Sequence, residues 1–89
     1  MNISEAITIY LKNYPRSNEE EFLSLVESED IRNAVRAIID ETTAIPVDFG
    51  TKSLSEIGQE VENELHERHP ELSDEAVTHL KNYFTYLVK

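Results

Sequence analysis

The chain has 89 residues and no cysteine, and its 18 acidic against 8 basic side chains leave a formal charge of −10. Disulfides, thiolate metal sites and cysteine nucleophiles are thereby excluded, and so much negative charge disfavours nucleic-acid phosphates and anionic membrane surfaces alike. No apolar run approaches the ~18 residues of a membrane span, and Met1-Asn2-Ile3-Ser4-Glu5 is not a basic, apolar leader, so the expectation is a single cytoplasmic helical domain over residues 1–89.

Helical periodicity is evident from the first residues. Ile3, Ala6, Ile7, Tyr10, Leu11 and Tyr14 share one face at 100° per residue. Asn2 or Ser4 suits the N-cap, and Tyr14-Pro15 predicts the end, because a residue before proline avoids the helical region. Ile9 falls about 100° or more from the centre of that stripe. Asn18 is the expected cap of a second helix, whose first turn holds Glu19, Glu20 and Glu21, where the helix dipole favours negative charge. Phe22, Leu23 and Val26 form its stripe. A third stripe, Ile31, Ala34, Val35, Ile38 and Ile39, lies about 140° out of phase with Val26, which predicts a break at residues 28–30 with Ser28 as cap.

Residues 42–53 lose the helical period. Pro46 and Gly50 interrupt them, and Ile45, Val47 and Phe49 alternate as in an extended segment with one buried side. Helix then resumes: Ser53-Leu54-Ser55-Glu56 is a capping box, followed by Leu54, Ile57, Val61 and Leu65 on one face. His69-Pro70 ends that helix. Ser73 caps the last, whose stripe is Ala76, Val77, Leu80, Tyr83, Phe84 and Leu87. The predicted fold is all-α: a compact bundle of about five short helices with one extended apolar loop over residues 42–53.

Few constellations carry chemistry. There is no glycine-rich phosphate loop and no nucleophile elbow. Glu62, His66 and His69 fall within about 60° on one helix flank, but a metal would need a further ligand, and two solvated histidines near a helix C-terminus explain the pattern without one. Neither a metal nor a cofactor is expected. Glu56, Glu60 and Glu67 cluster opposite the apolar stripe of the fourth helix with Glu64 beside them, an acidic face suited to a basic partner.

Two resemblances bear on function. Asp48-Phe49-Gly50-Thr51-Lys52-Ser53-Leu54 followed by Ile57 resembles the attachment region of acyl carrier proteins, with Lys52 standing where that family usually has an acid. The resemblance implies that Ser53 carries phosphopantetheine. Glu20-Glu21-Phe22-Leu23-Ser24-Leu25-Val26 resembles a helix of the immunity proteins of colicin nucleases, in a chain of similar size and charge, although their tyrosine-containing contact motif is missing. That resemblance implies binding and neutralising a basic protein.

The leading expectation is therefore a non-enzymatic module that binds a basic protein, as an immunity protein, antitoxin or inhibitor does. Its contact residues would be Ile9, Val47, Phe49, Glu56 and Glu60. An acyl-carrier-like protein modified on Ser53 is the alternative. A small structural subunit whose acidity serves solubility is a third reading, and a homodimer is compatible with each.

Overall fold

The computed structural model describes residues 1–12, 18–47, 50 and 52–87. They form five helices: α1 (Ile3–Leu11), α2 (Glu19–Leu25), α3 (Glu29–Thr43), α4 (Leu54–Arg68) and α5 (Asp74–Leu87). No strand occurs among the described residues, and no described helix is long and apolar enough to cross a membrane. The expected all-α bundle is what the chain adopts. Tyr14-Pro15 and Phe49 lie outside the described residues.

α5 is the hub. It packs against α1, α3 and α4, whereas α2 rests on α1. Its stripe Ala76, Val77, Leu80 and Phe84 is buried among Ala6, Ile7 and Leu11 of α1, Val35, Ile38 and Ile39 of α3, and Ile57, Val61 and Leu65 of α4 in one apolar cluster. Burial at roughly 25 cal/mol per Å² of apolar surface is the main force holding the helices together. Leu87 is left half-exposed at the end of its helix.

Local signals set the helix ends. Asn2 caps α1, its Oδ1 accepting from Glu5 N at 2.8 Å. Ser28 Oγ accepts from Ile31 N, and Ser73 Oγ from Ala76 N. Ser73 N also donates to Ser4 Oγ at 2.9 Å, which ties the start of α5 to α1. Asn18 stands at the N-cap of α2 without capping it; its Nδ2 donates to Ile9 O instead, a 2.5 Å bridge back to α1.

The out-of-phase stripes do separate α2 from α3. The interruption covers Val26, Glu27 and Ser28, two residues earlier than expected, because the Ser28 cap already places Glu29 and Asp30 in the first turn of α3. Arg32 holds the corner. Its Nε donates to Val26 O at 2.5 Å and its Nη2 to Leu23 O at 2.6 Å, satisfying carbonyls that the end of α2 leaves open. Phe22 and Val26 are buried, but Leu23 is 39% exposed, so the second stripe is narrower than the sequence suggested. Tyr10 meets the Phe22 ring edge-on at 4.9 Å, and the Arg36 guanidinium lies over that ring while its Nη2 bonds Glu19 Oε1. Burial, reinforced by Glu19, pushes the Tyr10 phenol above its usual pKa.

The loop is shorter than expected. α3 runs on through Thr42 and Thr43, whose hydroxyls bond back to Ile38 O and Asp40 O at 2.7 Å. Thr42 is fully buried by that route, with its only polar side-chain atom satisfied inside its own helix.

Candidate partner-binding site

α4 and the loop before it supply the candidate site. Ser53 Oγ accepts from Glu56 N at 3.3 Å, and Glu56 Oε1 accepts from Ser53 N at 3.4 Å, so the expected capping box is present. Ser53 Oγ also lies 3.2 Å from Glu56 Oε1. Ser53 and Glu56 are both exposed, and both are engaged with each other at the helix start.

One turn further on, Glu60 is part of a depression of about 200 Å³ between the loop and α4. Ile45, Pro46 and Val47 form its loop wall, and Glu60, Asn63, Glu64 and Glu67 its helix wall. Ile45 is buried in the core and Val47 is half-buried against it, which fixes the loop on the helix; Pro46 between them is exposed. The alternation expected of an extended segment thus holds at these three positions.

The charges around the depression are unequally satisfied. Glu60 Oε1 pairs with Lys52 Nζ. Its other oxygen, Oε2, is buried and has no hydrogen-bond partner among the described residues. Glu64 Oε1 accepts from Arg68 Nε at 2.7 Å. Glu67 is exposed and makes no ion pair among the described residues. A cation entering here would meet one buried acceptor and two further carboxylates on the same helix flank, at spacings of four and three residues.

Of the residues expected to touch a partner, Val47 and Glu60 are brought together here. Glu56 belongs to the capping box one turn earlier. Ile9 is elsewhere: it is half-buried against the core and lines a separate depression with Asn2, Thr8 and Ser73. Its offset from the stripe gave the right direction but understated the contact. Asn63 and Pro46 are lining residues that the sequence did not mark, since neither is charged nor part of a stripe.

The three residues considered for a metal do not converge. His66 Nε2 is 3.9 Å from both Glu62 Oε1 and Asp74 Oδ1. His69 turns instead to α3, with Nε2 3.0 Å from Glu41 Oε1 and Nδ1 3.3 Å from Glu71 Oε1. Arg68 Nη1 reaches the other Glu41 oxygen at 3.2 Å. The hydrogen bond from His69 holds the Glu41 carboxyl below the usual carboxylate range, with Arg68 adding to the effect and burial opposing it. Bonds to Glu64 and Glu41 raise the Arg68 guanidinium in turn. No group of three or more metal-ligating side chains is assembled among the described residues.

On its opposite flank α4 meets the C-terminal half of α5 along an open groove of about 630 Å³. Gly58 is buried there beneath the Lys81 stem and the Thr85 methyl, while Lys81 Nζ reaches Glu62 Oε2 at 3.5 Å.

No family model, no curated protein and no solved structure matches the chain.

Proposed function

We propose that the protein is a non-enzymatic binding module for a basic protein, and that the depression between the loop and α4 is its contact. The observation that supports this is the Glu60 carboxylate, which shares the depression with Ile45, Pro46 and Val47: one oxygen is held by Lys52, and the other is buried with no donor among the described residues. A buried acceptor left unsatisfied costs about 1–3 kcal/mol. An arginine or lysine of a partner would satisfy it, with its stem against the apolar wall and its charge near Glu64 and Glu67. The net charge of −10 would steer a basic partner at long range. Inhibition or neutralisation of that partner is the activity such a contact would serve.

The test uses the full chain as bait for proteins of its own source cells, in low and high salt. A basic protein should be retained at low salt, released at high salt, and lost when Glu60→Leu is combined with Glu64→Gln and Glu67→Gln. The free triple variant should melt no lower than the parent if it does remove an unsatisfied buried oxygen. Retention of the same partner by the triple variant would overturn the assignment of the site.

The alternative reading has one supporting observation: the Ser53 hydroxyl is exposed at the start of a 15-residue helix, a favourable position for a phosphodiester. Coexpression with a phosphopantetheinyl transferase and measurement of intact mass test it directly. A mass gain localised to Ser53 would establish a carrier; unchanged mass removes that reading.

A further inference from the structure

The charge of this chain is segregated in a way its total conceals. All eighteen acidic residues lie at or before Glu75; residues 76–89 contain none, and carry Lys81 and Lys89. Most of α5 is therefore free of carboxylates, and so is the groove it forms with the first turns of α4. Leu54, Ser55 and Gln59 line the α4 side, and Asn82, Thr85 and Tyr86 the α5 side. The one charged side chain of the lining, Lys81, is drawn to Glu62.

Exposed apolar side chains border this mostly polar groove. Leu54 and Tyr86 are 44% and 48% exposed within the groove lining, and Leu87, the next residue of α5, is 49% exposed. These are three of the six large hydrophobic side chains that the described surface leaves exposed.

We propose that this groove is a self-association face, at which two copies of the chain pack about a two-fold axis. The choice of occupant follows from electrostatics. In a two-fold contact each patch meets its own copy. Across the acid-rich flank of α4 that would oppose carboxylate to carboxylate, at about 1 kcal/mol per close pair even in bulk water. The α4–α5 groove sets hydroxyls, amides and apolar side chains against each other, so two molecules of charge −10 can meet there without a local penalty. A basic partner gains nothing from a face without free carboxylates, and an acidic partner would find Lys81 already paired. Self-association is independent of the basic-partner reading and uses the other flank of α4.

Salt gives the face a distinctive signature. The remaining charge of the two copies repels at a distance, and screening weakens that repulsion. Added salt should therefore tighten self-association, the reverse of its effect on a basic partner.

Sedimentation of the full chain over a wide concentration range, at low and high salt, tests the proposal. The weight-average mass should rise toward that of a dimer with concentration, and do so at lower concentration in high salt. Leu54→Glu or Tyr86→Glu, each placing a carboxylate at a half-exposed position, should weaken the dimer by about tenfold or more, a loss of ~1.4 kcal/mol. Gln59→Glu provides a milder version that changes no apolar contact. Helical circular dichroism separates loss of the dimer from loss of the fold. A parent chain that stays monomeric at the highest concentration in high salt would overturn the proposal. So would a dimer indifferent to all three substitutions in variants that remain folded.

Discussion

The two flanks of α4 carry opposite kinds of side chain. Toward the loop it presents Glu60, Glu64 and Glu67 around a small depression; toward α5 it presents Ser55, Gly58 and Gln59 along a wide groove. Both belong to one 15-residue helix whose core face is Ile57, Val61 and Leu65. At 100° per residue, Glu60 and Glu64 fall some 140–180° from Ser55 around the helix axis. Residue type on each flank, and not exposure alone, sets what each can meet. A carboxylate flank attracts cations and repels copies of itself, whereas a neutral flank is indifferent to charge and open to close packing.

The contrast presupposes that α4 is locked in rotation by its core face. Leu65 is fully buried at the foot of that face. Leu65→Ala should therefore give the largest effect, a loss of about 2–5 kcal/mol from the transfer term and the cavity together, measured by urea unfolding. In a domain of this size that is a large share of the total stability. A loss below ~1 kcal/mol would mean that α4 is not seated as described, and the two flanks would lose their fixed identities.

On the groove side, Gly58 reports how closely α5 packs on α4. A Cβ built on it would lie 3.3 Å from the Lys81 stem and 3.4 Å from the Thr85 methyl. An alanine there needs only a small shift of a flexible lysine stem, and the helix gains about 0.5–1 kcal/mol of propensity, so Gly58→Ala should be close to neutral. Gly58→Val adds two methyls toward α5 and loses χ1 freedom; it should cost about 1–3 kcal/mol through overpacking. Equal melting temperatures for the two variants would show that α5 does not press on α4 at this point.

The start of α4 serves both flanks, because the capping box fixes where its first turn begins. Ser53→Ala should cost about 1 kcal/mol. Ser53→Thr should recover most of it. Ser53→Asp keeps an acceptor for Glu56 N but brings a second carboxylate up to Glu56 Oε1, and should fall between the two. An alanine variant as stable as the parent would remove the capping role and leave the exposed hydroxyl without a structural duty.

Much of this was legible in the sequence, for definable reasons. Helix number, the α2–α3 break and the Ser28, Ser53 and Ser73 caps depend on residues within four positions of one another, and periodicity carries that information. What escaped depends on distant neighbours. Thr42 and Thr43 are weak helix formers, yet α3 continues through them because their hydroxyls find carbonyls in the preceding turn. Leu23, Leu54 and Leu87 complete their stripes on paper and stay exposed, since no helix covers them. The acidic cluster on α4 could be read directly; that Lys52 claims one oxygen of Glu60 while the other is buried could not. The pairing of His69 with Glu41 joins residues 28 apart and left no local trace.

The far end of α4 supplies the smallest effect and a control for the acid-rich flank, because there the carboxylates are paired. Glu41 is held below its ordinary pKa chiefly by its hydrogen bond with His69, with help from Arg68. A carboxyl whose folded pKa is depressed contributes stability that is complete above its unfolded value, near pH ~4.3. That contribution is lost as pH falls through the lower, folded value. The melting temperature of the parent should therefore exceed that of Glu41→Gln at neutral pH, and the two curves should converge as pH drops below the ordinary carboxylate range. Glu41 keeps about a third of its side chain exposed, so solvent screens the link and the gap is small. His69→Ala should remove more of this pH-dependent gap than Arg68→Ala, since the His69 hydrogen bond is the larger cause. Curves for parent and Glu41→Gln that run parallel into the acid transition would show that neither His69 nor Arg68 holds Glu41. The join between the end of α3 and the end of α4 would then rest on apolar packing alone.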